Sequence, residues 1–136
     1  MSNQEVLENK ISFIKQQLNF LEEFRAMSYE EFKNNSTKRA AVERYLYLVV
    51  QASIDLAEAM VAYKKLRKPT TMREGIEILG EANILPQNFV EKFIKMVGFR
   101  NILAHDYGIV DAKIVYSVLT TNLSEIEEFL GYILKV

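Results

Sequence analysis

An all-α fold, an up-and-down helical bundle of four main helices plus one short helix, follows from three features of the 136-residue chain. Apolar residues recur at three- and four-residue spacing along most of its length, as amphipathic helices require. Boxes of the form Ser/Thr-x-x-Glu precede those runs at Ser2–Glu5, Ser28–Glu31 and Thr71–Glu74, where such pairs satisfy the free N–H groups of a helix start. No run shows the alternation of a strand. The length suits a single domain, residues 1–136, that buries a core without metal or disulfide staples.

Residues from about 3 to 26 form the first long helix. Its stripe is Leu7, Ile11, Ile14, Leu18 and Leu21, widened by Val6, Phe13, Phe20 and Phe24. Ser28 opens a short helical turn through Tyr29 and Phe32, and Lys33–Thr37 breaks it, with Ser36 or Thr37 available to cap the next helix. That helix, about 38 to 65, is apolar nearly all round: Leu46, Val49, Leu56 and Met60 on one face, Tyr47, Val50, Ile54, Ala57 and Val61 on another. Such a helix belongs at the centre of a bundle or in a subunit interface as well. After a linker with Pro69, Thr71 opens a helix through Ile76, Leu79 and Ala82 that Asn83 ends. Pro86 fits the first turn of the next, which reaches 104–107. Gly98 inside it suggests a close backbone approach. Asp111 caps the last helix, with Val115, Leu119, Leu123, Ile126, Leu130 and Ile133 inward.

The helix after Pro86 holds an anomaly. Phe89, Phe93, Met96 and Leu103 mark an apolar seam, and position 100 falls on it, yet the residue there is arginine. A guanidinium does not lose its proton in proteins, and burying it unpaired is costly. This face therefore meets a partner subunit, an anionic ligand, or both. Five residues later stands His105, the one histidine of the chain.

Composition narrows the field. With no cysteine and one histidine, neither a thiolate metal site nor a histidine cluster within one chain is available. No metal and no cofactor are expected. The N-terminus lacks a signal-peptide pattern and no apolar run approaches the length of a membrane span, which makes a cytoplasmic location the default. A net charge of −1 argues against coating nucleic acid by bulk electrostatics, though not against a local anion site. The cluster Lys64, Lys65, Arg67, Lys68 and Arg73 reads as a solvated linker between helices, with a supporting RNA contact as the weaker alternative.

Around an ideal helix Arg100 and His105 stand ~140° apart, whereas Asn101 and His105 are ~40° apart, and Tyr107 returns to within ~20° of Arg100. A helix end that turns His105 inward would close the gap within one chain, and a second copy across a two-fold axis would close it another way. The residue types suit phosphodiester chemistry. Arginine forks onto phosphate oxygens and the charge of the transition state; histidine moves protons near neutrality; Asn101 fixes an imidazole tautomer or binds a phosphate oxygen. The opposite reading, a histidine that merely caps a helix and an arginine paired with a carboxylate such as Asp55, stays open on spacing alone. So does the strip Gln51, Asp55 and Glu58 with Arg44: it is either the solvent edge of its helix, or Gln51 or Asp55 faces the Arg100 site and orients a catalytic side chain.

The string Arg100-Asn101-Ile102-Leu103-Ala104-His105-Asp106-Tyr107 resembles the Arg-x4-His-x-Tyr motif of the HEPN superfamily in its HepT-type toxin branch. Ala41–Leu46, Gln51-Ala52 and Ile54-Asp55 resemble that branch's second helix, and Gly98-Phe99 the approach to its motif. The resemblance implies a homodimeric, metal-independent ribonuclease with Arg100 and His105 catalytic and Asn101 supporting. It also implies a nucleotidyltransferase antitoxin of the MntA type that transfers AMP from ATP onto Tyr107. The alternative is a non-catalytic helical dimer that binds and assists such a nucleotidyltransferase.

Overall fold

The three Ser/Thr-x-x-Glu boxes each start a helix. In the computed structural model, which describes residues 2–105 and 110–136, the side chain of Ser2 accepts from the Glu5 N–H, opening α1 (Asn3–Arg25). Ser28 accepts from Glu31 at the start of α2 (Tyr29–Asn34), and Thr71 from Glu74 at the start of α4 (Met72–Glu81). The cap of α3 (Ser36–Tyr63) is Asn35, whose side chain accepts from Lys38, one residue before the Ser36 or Thr37 expected from sequence. Asn35 caps as well as serine does, and taking that role lets the helix include both hydroxyl residues.

α3 is the axis of the bundle. Val42, Leu46, Val49, Val50, Ile54, Leu56 and Ala57 are fully buried, and α1, α4 and α6 pack around it. By length and composition alone α3 would also suit a membrane span, with a mean hydropathy of 1.3 in its most apolar window. More than half of that window is covered by the other helices, which accounts for the apolar surface as core. The stripe of α1 is narrower than its sequence suggested. Leu7, Ile14 and Leu21 are buried at seven-residue spacing, while Phe13 and Phe20 are 38% and 40% exposed. The Phe20 ring instead lies 5.4 Å from Tyr45, across the α1–α3 seam.

The helix expected from Pro86 onward is two helices, α5 (Gln87–Phe93) and α6 (Lys95–His105). Pro86 is the residue just before α5 rather than within its first turn. Ile94, at their junction, keeps right-handed helical angles, and the Val97 N–H reaches back to its carbonyl in a tighter three-residue turn. Phe93 is thereby seated between Phe89 and Phe129, with ring centroids 5.0 and 4.6 Å away. Gly98 does not serve a close approach within the chain: a Cβ there would meet nothing within 4 Å. The last helix is likewise segmented, as α7 (Ala112–Ser117), a π-helical turn (Val118–Asn122) and α8 (Leu123–Leu134). Asp111 caps it by accepting from Lys113, and the six expected inward residues are buried. Thr120 and Ser124 donate to the backbone carbonyls of Tyr116 and Thr121; such back-bonding competes with the helical ladder and accompanies the π turn.

α1, α3, α5–α6 and α7–α8 are thus the four main rods, with α2 and α4 as shorter additions, and no strand occurs among the described residues. Two cations of the basic cluster have carboxylate partners. Arg67 bridges Glu74 and Glu81 at 2.9 and 2.8 Å, and Arg73 lies 3.7 Å from Glu77, in keeping with a solvated connection.

Candidate functional site

Arg100 lies six residues into α6, on the side that faces α3, and is half-buried there. Its Nε donates to Oε1 of Gln51 at 2.5 Å. Its Nη1 donates to Oδ1 of Asn101 at 3.1 Å. Of the two readings of the α3 strip, the geometry therefore favours the one in which Gln51 faces Arg100. Gln51 in turn donates from Nε2 to Oδ1 of Asp55 at 2.9 Å, one helical turn on. That orientation of the amide is the one that suits both neighbours: its oxygen meets a donor-only guanidinium and its nitrogen an acceptor-only carboxylate. Asp55 thus reaches Arg100 only through Gln51. Asp55 and Gln51 also line a groove of about 350 Å³ between α1 and α3, with Lys10, Phe13 and Leu48.

No carboxylate of a described residue pairs with Arg100. Arg25, also half-buried, has a carboxylate partner in Glu127 at 2.8 Å. Amide oxygens hold the guanidinium in place without cancelling its charge.

A residue that sequence reading placed with the apolar faces belongs here as well. The Tyr47 ring centroid is 5.9 Å from Cζ of Arg100 and 5.8 Å from Cζ of Arg44, both within the range of a cation–π contact. The signal was available in the spacing, because Arg44, Tyr47, Gln51 and Asp55 follow one another at three and four residues along α3.

His105 is the last residue of α6 and is exposed, with no hydrogen bond to a described residue. α6 remains helical through both positions, so Arg100 and His105 diverge, and the helix end does not turn the imidazole inward. Asn101 connects them. It receives Nη1 of Arg100 and stands one helical turn before His105, on the same strip of α6. Tyr107 and its neighbours 106, 108 and 109 fall outside the described residues.

Comparison with known proteins places this arrangement. Residues 14–133 match the family described as ribonuclease HepT-like. The chain belongs to that family. Among characterised HepT proteins, the mRNA nuclease HepT of Shewanella oneidensis is 29% identical over 95% of this chain and 96% of its own. The tRNA nuclease HepT of Aphanizomenon flos-aquae is 27% identical over 88% of this chain and 82% of its own. Among solved structures, a tri-AMPylated Shewanella oneidensis HEPN toxin in complex with its MNT antitoxin superposes with a TM-score of 0.86. It is 28% identical, and both chains are covered in full. The all-α HepT fold expected from sequence is therefore shown over nearly the entire length.

Proposed function

We propose that this HepT-family chain is a metal-independent ribonuclease toxin, active as a homodimer and located in the cytoplasm. Arg100 and His105 form the catalytic pair, Asn101, Gln51 and Asp55 support them, and a nucleotidyltransferase antitoxin silences the protein by adding AMP to Tyr107. The observation that carries the proposal is the half-buried Arg100 guanidinium, held by two neutral amide oxygens and by no carboxylate among the described residues. Such a cation retains its capacity for phosphate.

In the reaction, a ribose 2′-hydroxyl attacks the adjacent phosphorus. A base removes its proton, and an acid protonates the departing 5′-oxygen, leaving a 2′,3′-cyclic phosphate and a free 5′-hydroxyl. Histidine serves either role near neutral pH. Arg100 neutralises the charge that builds on the phosphoryl oxygens. Because Arg100 and His105 diverge along α6, two copies related by a two-fold axis supply both imidazoles to one cleft. The relatives support the class of substrate: one is named for mRNA and the other for tRNA, and the solved toxin is described as AMPylated and bound to its antitoxin. An AMP group on Tyr107 adds bulk and negative charge beside a site that attracts phosphate, and so occupies it.

The test is cleavage of RNA by the purified chain, with and without EDTA, alongside Arg100→Ala and His105→Ala. Turnover that survives EDTA and disappears in both variants, with dimer mass and helicity retained, is the expected result. Undiminished cleavage by either variant would remove the catalytic assignment. Intact mass after co-expression with the antitoxin should rise by AMP units, and this gain should vanish in Tyr107→Phe. A mass gain without any RNA turnover by the free protein would favour the helper reading instead.

A further inference from the structure

Arg100 has a second cation close by that the proposed reaction does not use. Arg44, one turn before Tyr47 on α3, is exposed and makes no ion pair with a described residue. Its guanidinium and that of Arg100 approach the same Tyr47 ring, with Cζ atoms 5.8 and 5.9 Å from the centroid. Neither guanidinium is neutralised by a described carboxylate. A ligand with more than one negative group would meet both.

We propose that Arg44 and Tyr47 form a phosphate subsite flanking the reacting one. Arg44 grips the neighbouring phosphodiester of an RNA strand while Arg100 holds the phosphate being cut, and the Tyr47 ring keeps the two guanidiniums at a set spacing. The proposal rests on the ribonuclease reading and extends it to the substrate's length. Charge adds a second argument. The chain as a whole carries a net charge of −1, so its long-range field does not draw in a polyanion. Affinity for the strand must come from cations gathered locally, and phosphate contacts of this kind dominate nucleic-acid affinity. Tyr47, already approached by two guanidiniums, acts as a spacer and not as a platform for a base.

The experiment compares the full chain with Arg44→Ala and Arg44→Lys on two substrates: a single-stranded RNA of a dozen nucleotides and a dinucleotide with one phosphodiester. Binding of the longer RNA is also followed by fluorescence anisotropy over a salt series, in the uncleaving His105→Ala background. Loss of one phosphate contact should weaken binding by about tenfold and reduce the slope of log K against log salt by about 0.7. Arg44→Lys should restore most of both. On the dinucleotide, Arg44→Ala should lose far less than on the longer RNA, because the second phosphate is absent. An equal loss on both substrates would show a structural role and overturn the proposal, and so would an unchanged salt slope. If the parent chain neither binds nor cuts RNA, the ribonuclease reading fails first, and this inference with it.

Discussion

Replacing Gln51 by glutamate is the most searching perturbation of the site, because it changes charge while conserving shape. The wild-type amide offers Arg100 a neutral oxygen at 2.5 Å. A carboxylate there would form an ion pair whose attraction at ~4 Å and an effective dielectric of ~20 is about 4 kcal/mol. The half-exposed setting discounts that value towards the ~1 kcal/mol of a surface pair. Against it, Asp55 would lose the donor it now has in Gln51 Nε2 and face a like charge one turn away, at a cost of about 0.2–0.5 kcal/mol. Folding stability should therefore shift by no more than about 1 kcal/mol. Activity should fall as well. To reach a phosphate, the guanidinium must give up the added strength of that ion pair, about 1 kcal/mol, which corresponds to roughly a fivefold loss in kcat/KM. Gln51→Met, which removes the acceptor without adding charge, should lose less activity and more stability. Initial-rate RNA cleavage and thermal unfolding of the three proteins read out both orders. A Gln51→Glu protein that cleaves RNA as fast as the parent would refute the idea that neutral acceptors keep Arg100 available to phosphate.

Three further outcomes follow from packing and charge. Gly80→Ala would drive a Cβ to 2.7 Å from Val90 Cγ2, so overpacking between α4 and α5 should destabilise the chain by about 1–3 kcal/mol in denaturant titration. Gly98→Ala meets nothing within 4 Å and replaces glycine within α6; helix propensity predicts a gain of up to about 1 kcal/mol, and a loss together with dissociation of the proposed dimer would show that a second copy approaches this backbone. Burial, then the nearby Asp55, raises the Glu58 carboxyl above its ordinary range, and Lys10 only partly opposes them. The folded state therefore holds this proton longer than the unfolded state. The cost of the charged form is absent below the unfolded value and grows as pH rises through the raised one. Glu58→Gln should accordingly raise Tm slightly at neutral pH and leave it unchanged near about pH 3.5 in scanning calorimetry, where both states are protonated.

What could be read from sequence was what is decided locally. The serine and threonine boxes acted where they stood because a cap is settled within four residues, and the inward faces of α3 and the last helix followed from period alone. Segmentation of the helices was not legible in the same way. The junction at Ile94 has neither glycine nor proline to announce it; it seats Phe93 between Phe89 and Phe129, the last of which lies far along the chain. The π turn at 118–122 likewise depends on which hydroxyls turn back onto the backbone. Phe13 and Phe20 misled because an aromatic at helical spacing looks like core, whether or not a neighbour covers it.

The site divides along the same line. That Arg100 interrupts an apolar seam was visible as a break in a pattern, and that His105 points elsewhere follows from the pitch of a helix. Which residue answers Arg100 was not visible, because Gln51 and Asp55 are both on the correct strip of α3 and either could face it. Only the crossing of α6 over α3 makes Gln51 the acceptor and leaves Asp55 one bond behind. The difference is chemical. With Asp55 in contact, the guanidinium would be a finished ion pair, a structural feature with no capacity left over. With an amide in contact and the carboxylate held one residue back, Arg100 is oriented while its charge remains unspent, and that is the condition a phosphate-binding catalyst has to meet.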